Sequence, residues 1–217
     1  MPGFSQPLEN GGHRISPRTP GPRPHRTGPR PPGRARVAVR LYRGAEPKLG
    51  TDGVGMTGKN RTLIVCRHAK ADRPDGGSDF ERPLAARGRK DAPVAGKWMR
   101  NNAPGVELVV CSPALRAKQT WELLGAELAS APTVRYEQDV YDATTGDLLA
   151  VVNGLPEIVR TVLLVGHNPG FEGLVSLLTR RTHEMRTAAV AVLSGPGDWS
   201  EITPGWAELV GSTVPRG

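Results

Sequence analysis

The sequence predicts an α/β fold of three layers, in which a mostly parallel sheet is flanked by helices on both faces. Two observations carry this prediction. Short apolar runs rich in β-branched residues recur after residue 60, and longer stretches with helical features separate them. Parallel strands need crossover connections, which are right-handed and usually helical. The 217 residues are enough for one domain of ordinary size with a tail left over.

The first part of the chain differs in composition from the rest. Residues 1–55 hold ten Lys and Arg against three Asp and Glu, with ten of the 21 prolines and ten of the 27 glycines. Such a segment buries too little apolar surface to offset the entropy of ordering it. We therefore predict a disordered Arg/Pro/Gly-rich tail over 1–57 and a folded domain over 58–217. The alternative expectation is that translation begins at Met56, which would leave a nearly neutral domain.

Charge and hydropathy exclude several classes of protein. The chain lacks an apolar stretch of the length that a membrane span needs, and its N-terminus lacks the apolar region of a secretory signal, so we expect a cytoplasmic protein. Nucleic-acid binding through the basic arm is disfavoured, because no aromatic residues are interleaved with the basic ones. Cys66 and Cys111 each end an apolar run and are expected to be buried thiols, with no disulfide or metal role.

Six strands are predicted from the apolar runs. The first four are expected to be buried strands. In chain order, the predicted strands are RTLIVC (61–66), VELVVC (106–111), PTVRY (132–136), TVLLVG (161–166), AAVAVLS (188–194) and GWAELVG (205–211).

Four helices are predicted between these strands. In the first, over 83–101, Pro93 should kink the helix or open its second half, with Asp91 as a cap. The second, over 113–129, should have Ser112 as its cap and Pro113 at the first helical position. A third covers 145–153, and a fourth runs from Pro169 to about Leu178. The expected core-facing residues of the first two helices are Leu84, Ala92, Ala95 and Trp98, then Leu115, Trp121, Leu124 and Leu128.

Polar segments follow three of the predicted strands. They are Arg67-His68, the stretch from Ser112 to Arg116, and the stretch from Gly166 to Gly170. In a parallel sheet, ligands bind beyond the carboxyl ends of the strands, so these segments should meet at one edge. Two arginines and two histidines in one crevice form an anion site, since guanidinium groups match phosphate oxygens. The helix after Asn168, its available cap, should point its N–H groups at the same edge.

Four segments in this order resemble the histidine phosphatase superfamily, in the branch with the phosphoglycerate-mutase-like fold. The segments are RHA (67–69), DFERPLAARGRKDA (79–92), CSPALRAKQT (111–120) and GHNPG (166–170). The short chain, the RHAK form and the D-x-x-R-P-L-x-x-x-G stretch are most similar to the SixA-type phosphohistidine phosphatases. The resemblance covers residues 61–217.

The resemblance implies roles for individual residues. His68 would be the nucleophile that becomes phosphorylated, Arg67 and Arg116 the phosphate clamps, and His167 the second catalytic histidine. We further expect Arg82, Asn168 and Gly166 to contact the substrate, although an ordinary surface salt bridge is equally open for Arg82. The scheme requires no metal and no cofactor. A zinc site made by His68, His167 and His183 would lack an obvious carboxylate or thiolate ligand.

The expected substrate follows from a missing acid. Members of the superfamily that cleave phosphate esters usually supply a carboxylic acid from an inserted helical region, because an alkoxide is a poor leaving group. Only fifty residues separate Arg116 from His167, and the available acids, Glu137, Asp139 and Asp142, have no diagnostic spacing. Phosphohistidine instead releases an imidazole, which needs less acid help.

The expected function is therefore that of a metal-independent phosphatase with a phosphohistidine enzyme intermediate. Its favoured substrate is phosphohistidine on a protein, for example a histidine-containing phosphotransfer domain. Two alternatives stay open: a small-molecule phosphomonoesterase for a sugar phosphate or nucleotide, and a non-catalytic phosphoprotein-binding module.

Overall fold

The structure is a computed structural model that describes residues 60–73 and 76–216. The predicted tail over residues 1–57 and the alternative start at Met56 lie outside these residues. No helix in the described part of the chain is long and apolar enough to cross a membrane.

The described part of the chain has six strands: β1 (Arg61–Arg67), β2 (Leu108–Cys111), β3 (Thr133–Tyr136), β4 (Thr161–Gly166), β5 (Val190–Gly195) and β6 (Glu208–Thr213). They form one mixed sheet in the spatial order β3-β2-β4-β1-β5-β6. Strands β1 to β4 are mutually parallel, and β5 is antiparallel to both of its neighbours. The predicted mostly parallel sheet is therefore confirmed. The expected burial of the third strand is wrong, because β3 lies at an edge of the sheet and three of its four residues are exposed.

Helices cover both faces of the sheet, as the three-layer prediction requires. They are α1 (Ala86–Asn102), α2 (Leu115–Gly125), α3 (Thr145–Asn153) and α4 (Gly170–Thr179). Helices α1 and α2 pack on one face with Ile64 and Cys66, whereas α3 and α4 pack on the other with Leu63 and Val65. Side chains alternate between the faces of a strand, so a strand buried on both sides must be apolar throughout.

Helix α1 continues through Pro93, so the expected opening of its second half is wrong, whereas the expected kink stays a prediction. Asp91 is accordingly not a cap: it is fully buried inside the helix, with its carboxylate 3.4 Å from the Arg87 guanidinium. Proline costs the helix one backbone hydrogen bond. Packing of the buried Ala92, Ala95 and Met99 offsets that cost.

The start of α2 corrects another prediction. The helix begins at Leu115, and its N-cap residue is Ala114, so Ser112 is not the cap and Pro113 lies outside the helix. The Ser112 hydroxyl does accept the Ala114 N–H, at 3.3 Å. Its closest partner is the ring of His167, which directly follows β4. Strand β6 is also displaced, by about three residues from the predicted 205–211.

The two cysteines are free and buried, as predicted. Cys66 lies in β1 and Cys111 in β2. Burial raises the pKa of the Cys66 thiol to about 12, and it also raises the pKa of the Cys111 thiol. Both thiols therefore stay protonated and act as small apolar side chains.

Candidate active site

The carboxyl ends of β1, β2 and β4 meet at a cleft of about 780 Å³. The predicted residues Arg67, His68, Arg116 and His167 all line it, together with Arg82 and Asn168. These residues converge because three parallel neighbours end at the same edge of the sheet. The remaining lining residues are Lys70, Ala71, Asp72, Arg73, Asp79, Tyr141, Asp142 and Thr187.

His68 is held by backbone groups on both sides. Its backbone N–H donates to the Gly166 carbonyl at 2.9 Å, and its ring Nδ1 lies 2.7 Å from the Ala69 carbonyl oxygen. A carbonyl oxygen can only accept, so Nδ1 carries the ring proton and Nε2 carries the lone pair. Burial, and then the positive charges of Arg116 and Arg67, lower the pKa of His68 to about 4. The imidazole is therefore neutral at pH 7, with Nε2 available to attack.

His167 lies next to His68 and is 7% exposed. The two ring centroids are 5.0 Å apart. The Nε2 atom of His167 is 2.7 Å from the Ser112 hydroxyl, and its Nδ1 is buried without a hydrogen-bond partner. Burial, and then repulsion by His68 and Arg116, lower the pKa of His167 to about 3. Both histidines are thus neutral in the ligand-free site.

Arg116 is almost fully buried at the start of α2, and Asp79 binds it twice. Its Nη1 donates to the backbone carbonyl of Asp79, and its Nη2 donates to the Asp79 carboxylate at 2.8 Å. The guanidinium carbon also lies 5.9 Å from the ring centroid of Tyr141. These contacts hold one edge of the guanidinium and leave its Nε without a partner.

Arg67 is anchored in a similar way from the other side of the cleft. Its Nη1 donates to the Met185 carbonyl at 2.9 Å, and its Nε is buried without a partner. Asn168 donates to the same carbonyl at 2.9 Å and to the Glu172 carboxylate at 3.0 Å.

Unpaired buried polar atoms are concentrated at this cleft. Nε of Arg67, Nε of Arg116 and Nδ1 of His167 are each buried with no hydrogen-bond partner. Buried polar groups are nearly always paired, so unpaired ones call for an explanation. Guanidinium Nε–H groups can only donate, and an imidazole nitrogen donates when it carries the proton. An oxyanion such as a phosphoryl group would satisfy these atoms together.

Arg82 forms a salt bridge and lines the cleft, while its contact with a substrate stays a prediction. Its Nη1 forms a 2.7 Å salt bridge with Asp79, and the residue also lines the cleft. The Arg82 Nε donates to the Asp72 carbonyl at 2.8 Å. The salt bridge therefore places the Arg82 guanidinium at the rim of the anion site.

One expectation for the segment after β4 was wrong. Asn168 does not cap α4, because Pro169 is the N-cap residue and the Asn168 side chain bonds elsewhere. Pro169 and Gly170 line an adjacent groove of about 600 Å³. That the N–H groups of this helix point at the anion site stays a prediction.

Gly166 lies beneath the cleft and not on its surface. A Cβ at this position would come within 2.6 Å of the Phe171 ring and 3.0 Å of Val140. Its carbonyl accepts the His68 N–H. Gly166 thus supports the nucleophile candidate through its carbonyl group. It is not among the residues that line the cleft, and its contact with a substrate stays a prediction.

The structure adds residues that sequence reasoning did not assign to the site. Tyr141 lines the cleft, its hydroxyl donates to Asp79 at 3.1 Å, and its ring meets His167 edge-on with centroids 5.5 Å apart. Lys70, Arg73 and Thr187 also line the cleft. Of the three acids considered from sequence, Asp142 lines the cleft, whereas Glu137 and Asp139 line a neighbouring groove. The sequence contains no motif that would have singled out Tyr141.

Among residues 60–73 and 76–216, no three His, Cys, Asp or Glu side chains are grouped so that they could hold a metal ion. Besides burial, the positive charges of Arg116 and Arg67 lower the pKa values of both histidines.

The sequence of this chain is similar to a known protein family and to a mycobacterial protein. The model of the histidine phosphatase superfamily (branch 1) matches residues 63–148. An uncharacterized protein of Mycobacterium tuberculosis is 40% identical over 161 residues, which cover 69% of this chain and 99% of that protein.

Solved structures extend the comparison. A Nakamurella multipartitia protein assigned as phosphohistidine phosphatase SixA is 33% identical, with a TM-score of 0.65 and coverage of 76% of this chain and 99% of its own. The protein histidine phosphatase SixA complexed with tungstate is 26% identical, with a TM-score of 0.61 and coverage of 70% and 96%.

A mycobacterial glucosyl-3-phosphoglycerate phosphatase shares the fold alone, at 19% identity and a TM-score of 0.50, over 70% of this chain and 97% of its own. The order of the motifs, the cleft at the strand ends and these similarities agree. The chain belongs to the histidine phosphatase superfamily and is a SixA-type phosphatase.

Proposed function

We propose that the chain removes the phosphoryl group from phosphohistidine on a protein, and that it does so through a phosphohistidine intermediate on His68. One observation carries this proposal. The neutral His68 ring has its Nε2 lone pair available beside a cluster of buried, unpaired polar atoms on Arg67, Arg116 and His167. Such a cluster suits a phosphoryl group, whose three equatorial oxygens carry the charge in the transition state.

In the first step, His68 Nε2 attacks the phosphorus atom and forms a new N–P bond. The bond from phosphorus to the substrate imidazole breaks, and that imidazole leaves with the bonding electron pair. If its other ring nitrogen is already protonated, it leaves as neutral imidazole and needs no proton from the enzyme. Arg67 and Arg116 donate hydrogen bonds to the phosphoryl oxygens during the transfer, and His167 donates as well when Nδ1 carries its proton.

In the second step, a water molecule attacks the phosphorus of phospho-His68. The His68 N–P bond breaks, its electron pair returns to Nε2, and inorganic phosphate leaves. The proton released by the water goes to the departing phosphate. His68 regains the neutral state in which it began, with Nδ1 still bonded to the Ala69 carbonyl.

The choice of phosphohistidine over a phosphate ester rests on proton donation. Asp79 contacts two arginines of the site, and the Arg82 hydrogen bond, together with those from Arg116 and Tyr141, lowers its pKa to about 2. Asp79 is therefore ionised at neutral pH and cannot protonate a leaving group. An ester would depend on Asp72 or Asp142, the other two carboxylates that line the cleft. A phosphoramidate makes no such demand.

We further propose that the reaction needs no metal ion, because arginines neutralise the phosphoryl charge. The cleft is lined by Arg67, Arg73, Arg82, Arg116 and Lys70 against Asp72, Asp79 and Asp142. A phosphorylated protein, such as a histidine-containing phosphotransfer domain, would present its phosphoryl group to this basic cleft.

A substrate panel tests the proposal. The purified chain is assayed against a phosphohistidine protein and against sugar phosphates and nucleotides at equal concentration, before and after EDTA treatment. We expect kcat/KM for the phosphohistidine protein to exceed that for every ester by at least 100-fold and to survive chelation. Preferred turnover of an ester, with loss of activity in Asp142→Asn, would establish a small-molecule phosphomonoesterase. Binding of the phosphoprotein without turnover of any substrate would establish a binding module.

A further inference from the structure

Asp79 links its near neighbour Arg82 to Arg116 and Tyr141, which lie far from it in the chain. One carboxylate oxygen accepts from Arg82 at 2.7 Å, and the other accepts from Arg116 at 2.8 Å and from Tyr141 at 3.1 Å. The Asp79 backbone carbonyl accepts a further bond from Arg116. All four residues line the cleft. A single side chain therefore links two guanidinium groups and a phenol at the anion site.

Asp79 contacts one edge of the Arg116 guanidinium group and leaves its Nε unpaired. Asp79 takes one N–H from each terminal nitrogen of the guanidinium, and the Nε–H stays buried and unpaired. The guanidinium has five donors, so the Nε–H and two terminal N–H groups are left for a ligand. Asp79 thus binds one edge of Arg116 and leaves another for an oxyanion.

We propose that Asp79 is the positioning residue of the anion site, which orients Arg116, Arg82 and Tyr141 before the substrate arrives. This inference rests on the proposed function in so far as Arg116 binds the phosphoryl group. An arginine side chain loses considerable rotamer entropy when it is immobilised, and a site that is ordered in advance avoids that loss on binding. Partners that orient metal-ligating side chains contribute about 10- to 100-fold to metal affinity or activity, and we expect an effect of similar size here.

A competing interpretation makes the opposite prediction. If the Asp79 carboxylate merely occupied Arg116 in place of phosphate, its removal would strengthen the binding of oxyanions. Removing any negative charge near the cleft would also strengthen that binding through space. Glu81 provides the matched control, because it lies in the same short 3-10 turn, Asp79–Glu81, bonds to Ser78 and does not line the cleft.

The experiment measures tungstate affinity by calorimetry, and kcat and KM on a phosphohistidine protein, for the wild-type chain and for Asp79→Asn, Asp79→Ala and Glu81→Gln. We expect the tungstate Kd to rise at least tenfold in Asp79→Ala and by less in Asp79→Asn, because the amide oxygen can still accept from one arginine. We expect kcat to fall in the same order, with melting temperatures within a few degrees of wild type. Glu81→Gln should leave the tungstate Kd and kcat within twofold of wild type.

A double-mutant cycle isolates the contact. Tyr141→Phe removes only the hydroxyl that donates to Asp79, so its effect on the tungstate Kd should be smaller than that of Asp79→Ala and should vanish in the Asp79→Ala background. Tighter tungstate binding in Asp79→Ala would overturn the inference, as would a response equal to that of Glu81→Gln. Tungstate binding does not depend on turnover. A wild-type chain that hydrolyses no substrate but shows the expected tungstate series would refute the proposed function and still support the positioning role.

Discussion

The rings of His68 and His167 lie 5.0 Å apart, centroid to centroid, and are tilted by 54°. Burial is the main reason that both have lowered pKa values, and the arginines of the cleft reinforce it. Two protonated imidazoles at this distance would repel each other and the guanidinium groups. The pair is therefore neutral when empty and becomes complementary to an anion only with the help of Arg67 and Arg116.

The first prediction concerns the nucleophile. His68→Ala should reduce kcat on a phosphohistidine protein by about 1,000-fold or more, because it removes the nitrogen that we propose as the phosphoryl acceptor. The fold should persist, since His68 is only half-buried and lies just beyond the carboxyl end of β1. Brief incubation of the wild-type chain with a phosphoryl donor should trap an enzyme-bound phosphate that is stable in base and labile in acid.

His183 provides the control for this substitution. It does not line the cleft, so His183→Ala should retain both turnover and the trapped phosphate. Steady turnover by His68→Ala would exclude His68 as the nucleophile.

The second prediction concerns Arg116, whose guanidinium both bonds to Asp79 and carries an unpaired Nε. Arg116→Lys keeps the charge but cannot serve both partners, because an ammonium group is a point charge without a planar fork. We expect kcat/KM to fall by about 100-fold, the effect of losing one oxyanion donor. Steady-state kinetics measure this loss, and a variant within threefold of wild type would show that charge alone is enough.

The third prediction concerns protonation. Since the folded-state pKa values are about 4 for His68 and about 3 for His167, both rings should stay neutral from pH 8 down to pH 5. Nitrogen-15 NMR of the imidazoles would show this directly, with the His68 proton on Nδ1. A signal from either ring that titrates near 6.5 would contradict the burial argument.

Stability should follow the same pKa values. In an unfolded chain, a histidine titrates near 6.5. Between pH 6.5 and about 4, the unfolded state therefore binds more protons than the folded state, and stability rises with pH across this window. Urea unfolding at pH 7 and pH 5 should show the loss on acidification, and His68→Ala should reduce its size.

The fourth prediction concerns Gly166. The added methyl of Gly166→Ala would overlap the Phe171 ring, at 2.6 Å, and should destabilise the protein by about 1–3 kcal/mol. Activity should fall as well, because the Gly166 carbonyl bonds to the His68 backbone. Urea unfolding measures the loss of stability. Replacing the ring with a smaller side chain, in Phe171→Leu, should recover part of that loss in the Gly166→Ala background.

Gly146 is the matched control, since it lies inside α3 and a Cβ there would be 3.8 Å from the Thr144 hydroxyl oxygen. Gly146→Ala should stabilise the protein by roughly 0.5–1 kcal/mol through helix propensity. Unchanged stability in Gly166→Ala would show that β4 can shift to accommodate the methyl group.

The fifth prediction concerns residues 1–55. Every residue that we assign to the cleft lies after Arg61, and the alignment with the mycobacterial relative covers only 161 residues. A variant that starts at Met56 should therefore keep its melting temperature and its turnover of a phosphohistidine protein. Measurement at low and physiological salt separates long-range attraction of an acidic partner from a structural role. Loss of turnover at both salts would place the domain boundary elsewhere.

Much of the fold and the centre of the site could be predicted from the sequence. Runs such as TVLLVG are apolar throughout because β4 is buried on both faces, and this signal is local. The placement of Arg67, His68, Arg116 and His167 at one edge followed from the geometry of parallel strands. Arg67 ends β1, His68 and His167 directly follow β1 and β4, and Arg116 comes five residues beyond β2.

The tertiary structure alone decided how these residues are held. Ser112 pairs with His167 across 55 positions, Asp79 with Arg116 across 37, and Tyr141 with Asp79 across 62. Local patterns predicted Ser112 and Asn168 as helix caps, but other residues cap these helices. The side chains of Ser112 and Asn168 instead form hydrogen bonds with residues from other parts of the chain. Propensity and periodicity describe neighbours along the chain, whereas a hydrogen bond depends on distance in space. The residues that could attack and bind a phosphoryl group could therefore be predicted from the sequence. The contacts that orient them depend on the folded chain, so only the tertiary structure shows them.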